Sequence, residues 1–189
     1  MGTLSRILIK GIDKEQCAHL IRTNYSIGRT SIFDYQFREA FFDKMNNSFI
    51  VFDAHKIGWT AIEWGFYKSV EEHDHFLMDI SKNYNTTVLL GYNQTTSGDV
   101  KLLSLKNGKI QRSIYRKCGD PYKILMEYNI GEKLPYEEAF NYPDIGQEVG
   151  EDHKLLDFDE IQEMFAECGY VGAARNEFDE HYLHLEYLK

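Results

Sequence analysis

Proline and cysteine are both scarce, with three of each in 189 residues. So little proline excludes a long stiff linker. Cys17, Cys118 and Cys168 are far apart and no pair has metal-ligand spacing, so reduced thiols are expected. No apolar run approaches the roughly 18 residues that a membrane helix needs. The run Ile7-Leu8-Ile9 is too short for a signal h-region and is followed by Lys10. Arg6 stands where the Met-Gly myristoylation pattern needs Ser or Thr. A cytoplasmic chain that neither enters nor coats a membrane is the expectation.

Catalytic signatures are missing too. There is no Gly-x-Gly-x-x-Gly, no Gly-Lys-Ser/Thr, no Gly-x-Ser-x-Gly and no His-Glu-x-x-His. His73 and His75, two apart on a helix, point about 200° from each other and cannot share one ion. His181 and His184, three apart in a strand, face opposite sides. Cys168 lies on an apolar helix face, where a thiol is inert, and Cys118 has no visible base beside it. Glu137-Glu138 and Glu151-Asp152 are paired carboxylates, but acid–base work also needs a cleft that separates their pKa values. No catalytic residue, metal ligand or cofactor is assigned, and the chain is read as a non-enzyme. Two rival readings stay open. One is a small hydrolase using carboxylates with His73, His75 or His153. The other is a structural or regulatory subunit that dimerises through its aromatic surface.

What is present is enough for a core: 43% hydrophobic residues, with 13 Tyr and 12 Phe. Asp13 with Gln16 caps a helix over about 14–23. Phe33, Phe37, Phe41 and Phe42 recur at helical spacing and suggest a helix around 34–45. Phe49–Phe52 and Trp59–Trp64 read as strands, with the two tryptophans on opposite faces. Ser69 with Glu72 caps a helix of about 70–84. Strands follow at 87–92, 100–105 and 109–115, the last two joined by Asn107-Gly108, the strongest short hairpin signal. Asp157 with Glu160 opens the best-defined helix, which Gly169 ends. Residues 181–187 read as a final edge strand. The fold class is α+β: a mostly antiparallel sheet with helices packed on one face. Residues 1–189 form one domain, with an acidic, less regular segment at about 116–156.

Charge is unevenly spread. Residues 1–119 carry 16 Lys+Arg and 12 Asp+Glu, while residues 120–189 carry 5 and 18. A nucleic-acid binder needs the opposite sign on its working face. An acidic face steers a basic partner. The candidate partner-binding residues are Tyr128, Glu132, Tyr136, Glu137, Glu138, Tyr142, Asp144, Glu148, Glu151 and Asp152. Carboxylates there would speed encounter, and tyrosines would supply rigid contact area.

Gly58-Trp59-Thr60-Ala61-Ile62-Glu63-Trp64, a helix ending in Ile80-Ser81-Lys82, then Thr86-Thr87-Val88 and the Ser97-Gly98 and Asn107-Gly108 turns set a layout over roughly residues 49–116. That layout resembles small immunity proteins of contact-dependent inhibition and polymorphic toxin systems. The resemblance implies a bacterial cytoplasmic α+β domain. Such a domain binds a cognate basic toxin, frequently a nuclease, and blocks its active site or substrate groove. It implies neither nucleic acid nor membrane as a partner, and homo-oligomers are compatible with it.

Overall fold

Alternation of apolar side chains along the strands sets the architecture, because it divides the core in two. Ile7 and Ile9 belong to one buried cluster and Leu8, between them, to another. All three are fully buried, as in a strand covered on both faces. The computed structural model describes residues 3–34, 47–54, 58–65, 70–94, 96–119, 123–170 and 181–188.

The strands are β1 (Thr3–Lys10), β2 (Ile27–Asp34), β3 (Ser48–Ala54), β4 (Trp59–Trp64), β5 (Thr87–Gln94), β6 (Asp99–Lys106), β7 (Lys109–Cys118), β8 (Ile124–Gly131) and β9 (His181–Tyr187). The helices among the described residues are α1 (Lys14–Asn24), α2 (His73–Asn83) and α3 (Phe158–Glu167), with 3-10 turns at Val70–Glu72 and Pro135–Glu137. One nine-stranded sheet runs in the order β2-β9-β3-β4-β1-β5-β6-β7-β8. Every neighbouring pair is antiparallel.

The α+β class and the antiparallel sheet are as expected, but the helices do not all share one face. Cys17, Ala18 and Ile21 of α1 and Phe76, Leu77 and Ile80 of α2 pack on Ile9, Val51, Ile62 and Leu90. Ile161, Met164 and Phe165 of α3 pack on Leu8, Phe52, Ala61 and Leu102, from the opposite face. The physical reason is that the central strands are apolar on both sides, so each side needs a cover. Gly91 sits beneath α3, and a Cβ there would lie 2.5 Å from Ile161 Cγ2 and 2.8 Å from a Phe165 ring carbon. The helix approaches that closely only because the strand has no side chain at this point.

Local signals held where they were strong. Asp13 accepts the Gln16 amide at 2.8 Å. Asp157 and Glu160 form a reciprocal cap at the start of α3. Asn107 and Gly108 both take positive φ, 53° and 72°, as a type I′ turn requires. Trp59 and Trp64 fall in opposite clusters.

Two readings change. Residues 124–131, inside the segment read as irregular, form β8. Residues 181–187 are an interior strand between β2 and β3, because β2 closes the sheet outside them. The helix expected over about 70–84 is present as the 3-10 turn Val70–Glu72 running into α2, and its expected cap at Ser69 lies outside the described residues. The helix expected around 34–45 falls almost wholly outside the described residues, and Asp34 ends β2.

Candidate functional site

Residues 132–170 lay an acidic cover over the α3 face of the sheet. The segment carries twelve carboxylate side chains against two lysines. Its apolar residues Phe140, Leu156, Ile161, Met164, Phe165 and Tyr170 point inward into the core of that face. The remaining side chains point mostly to water, and ten of the twelve carboxylates are exposed.

Gly131 lets the chain leave the sheet. Its φ is +88°, and a Cβ would lie 2.1 Å from the Gln111 carbonyl oxygen. From Gly131 to Asp157 the chain is a strap with one 3-10 turn. Residues 146–149 run along the outer edge of β8. The Met126 amide donates to the Gln147 carbonyl at 3.1 Å, Gly146 to Met126 at 2.7 Å and Val149 to Ile124 at 2.8 Å. Asn141 ties the strap to itself. Its side chain donates to the Asp152 carbonyl at 2.9 Å and accepts the Lys154 amide at 2.6 Å.

Cations of the sheet hold the cover down. Arg112 of β7 donates to the Glu137 carboxylate from Nε at 3.0 Å and from Nη2 at 2.8 Å. Its Nη1 donates to Asn129 Oδ1 at 2.9 Å and to the Ile130 and Gly131 carbonyls at 3.1 Å. Glu137 also accepts from the Leu134 amide and the Tyr142 hydroxyl, both at 2.7 Å. Arg112 is 1% exposed and Glu137 0%. Burial opposes ionisation of Glu137. The bonds from Arg112, Leu134 and Tyr142 outweigh it and hold the carboxyl below its ordinary range. Arg116 approaches Asp157 at 3.5 Å, and Asn93 donates to the same oxygen at 2.7 Å. Arg6, paired with Glu63 at 2.6 Å, lies 4.5 Å from the Tyr170 ring centroid and 5.6 Å from that of Phe165.

The ten expected site residues therefore separate. Glu132, Glu138, Asp144, Glu148, Glu151 and Asp152 are exposed on the strap. Glu148 pairs with Lys123 at 2.6 Å. Glu137 is buried and ion-paired with Arg112, so it does not stand on the exposed surface with the others. Tyr142 is half-buried and bonded to Glu137. Tyr128 packs against the core of the α1/α2 face, beside Tyr115 and bonded to Glu71. Tyr136 lies in the 3-10 turn of the strap. Asp159, Glu163 and Glu167 were missed: four apart on α3, they form one exposed ridge opposite Ile161, Met164 and Phe165. The periodicity that marked the apolar face also carried this signal, since Asp159, Glu163 and Glu167 fall on the face away from the apolar positions.

The histidines do not converge. His73 is buried against Trp64 and Tyr25, His75 is exposed, and His153 accepts the Gly150 amide. Among the described residues, no group of three His, Cys, Asp or Glu side chains is placed to hold a metal ion. No helix of the described residues is long and apolar enough to cross a membrane. Comparison with protein-family models, curated proteins and solved structures finds no significant match to the chain.

Proposed function

We propose that the chain is an inhibitor of the immunity type, which binds a basic toxin domain through the acidic cover and blocks its active site or substrate groove. The observation that carries this reading is the placement of ten exposed carboxylates against two lysines in one segment laid over one face of the sheet. A field of that sign accelerates encounter with a cationic groove. Asp159, Glu163 and Glu167 advance about 6 Å per step along α3. That is close to the axial spacing of alternate phosphates on one nucleic-acid strand, at about 3.4 Å per phosphate. A nuclease groove built for phosphates would accept such a ridge.

Contact area comes from Ile145 and Phe158 rather than from Tyr128 and Tyr142, which are half-buried and bonded within the fold. Ile145 and Phe158 are 62% and 42% exposed among the carboxylates, the arrangement of an apolar anchor inside a charged rim. The test is co-purification with the product of the adjacent gene, repeated with Asp159, Glu163 and Glu167 changed to Lys and with Glu151 and Asp152 changed to Lys. Binding by the parent and loss of it in both variants is the expected result. Binding untouched by reversal at low salt removes the site assignment. Failure of the parent chain both to bind that product and to neutralise its toxicity removes the function.

A further inference from the structure

The Arg112–Glu137 pair differs from the buried Arg6–Glu63 pair on the same face in where its partners reside. Arg6 and Glu63 sit directly opposite each other on neighbouring strands β1 and β4, so nothing short of separating those strands parts them. Arg112 belongs to the sheet and Glu137 to the strap. We propose that residues 132–157 open from the sheet as one unit and that the Arg112–Glu137 pair is the latch that holds them shut.

Three observations support a separately opening unit. The strap has one 3-10 turn and a single isolated bridge, Leu125 to Glu148, as its regular structure. None of residues 144–155 is buried. The Asn141 ties to Asp152 and Lys154 fasten its two limbs to each other, so they leave together. The buried residues of the unit, Glu137, Phe140, Pro143 and Leu156, lie outside residues 144–155 or at their border, and Phe140 and Leu156 leave the core when it opens. The stretch 144–155 itself, with few buried contacts and much exposed backbone, has the marks of a low-stability unit.

The latch works through desolvation. With the strap closed, the Arg112 charge is buried and Glu137 compensates it. With the strap open, water reaches the guanidinium, which keeps the Ile130 and Gly131 carbonyls of β8. Removing the Glu137 charge therefore penalises the closed state and not the open one. The relief is to open the strap, not to unfold the sheet. The latch itself does not depend on the proposed function. Its consequence does rest on that reading: an open strap would withdraw the strap's carboxylates from the docking face while leaving the α3 ridge in place.

The test is amide hydrogen exchange on the full chain, followed by mass spectrometry, for the parent, Glu137→Gln and Tyr142→Phe. Glu137→Gln raises exchange across 132–157, and at the capped Met126 amide, by roughly a hundredfold. Tyr142→Phe removes one bond to the carboxylate and raises the same peptides by roughly tenfold. Peptides of β5 and β6 are unchanged in both. An equal rise in β5 and β6 overturns the proposal, because the strap then has no opening of its own. Unchanged exchange over 132–157 overturns it as well. If Glu137→Gln fails to fold, Tyr142→Phe decides by the same two criteria. None of these readouts involves a partner, so failure of the docking reading leaves this result standing.

Discussion

The Lys101 side chain has 0% exposure, while that of its partner Asp74 keeps 32%. Its ammonium donates to Asp74 Oδ2 at 2.6 Å and lies 5.2 Å and 5.6 Å from the ring centroids of Tyr115 and Tyr128. Burial lowers the Lys101 pKa and raises that of Asp74, and each charge partly offsets the other's penalty. The unequal exposure makes the two deletions unequal. Asp74→Ala strands a buried cation and costs about 3 kcal/mol. Lys101→Met leaves an anion that water still reaches and replaces a desolvated charge by a stem of similar shape, so it costs less than about 1 kcal/mol. Urea midpoints of the two variants check this, and equal losses would refute it. Glu137 supplies a pH dependence. Its carboxyl is held below the ordinary 4.5, so the folded state binds the proton less readily than the unfolded one. The stabilisation is fully present above pH 4.5 and lost as pH falls through the depressed value. Carbon-detected titration of the Glu137 carboxyl should give a midpoint below 4.5. The strap amides should shift over the same window, and Glu137→Gln should abolish that step.

At the scale of elements, α3 is fixed by one missing side chain as much as by its own apolar face. Gly91→Ala places a methyl within 2.5 Å of Ile161 Cγ2. Neither the strand nor the packed helix can yield freely, so destabilisation of about 1–3 kcal/mol is expected. Thermal unfolding measures it, and Ile161→Ala in the same chain should recover part of the loss by making room. How legible an element was followed from how local its cause is. The Asp157–Glu160 cap, the Asn107-Gly108 turn and the alternation of Trp59 and Trp64 are set by neighbours in sequence, and they read correctly. Strand β8 did not, because half-buried Tyr128 and buried Met126 pack on opposite faces across a bulge opposite Tyr115 and Arg116. A bulge breaks the period-2 pattern that would have announced the strand.

At the scale of the whole molecule, the sheet supplies cations and the cover supplies anions. Arg112 and Arg116 are met by Glu137 and Asp157, so part of the charge asymmetry is spent inside the fold. The exposed remainder is the proposed docking field. If it acts by steering, the association rate with a basic partner falls at least about tenfold between low and physiological salt, while the dissociation rate changes little. Surface plasmon resonance over a salt series checks this. A salt-independent association rate would place recognition elsewhere.

Caps, turns and apolar periods act between neighbours along the chain, so the secondary structure they set and the acidity of the second part of the chain could be read from residue order. Which of those carboxylates face water follows from the folded arrangement. Glu137 and Glu138 are neighbours of the same type, yet one is buried on an arginine 25 positions away and the other is solvated. Burial is settled by where the backbone crosses the sheet. That depends on strand order and on which face each apolar residue must cover, quantities that no local spacing encodes.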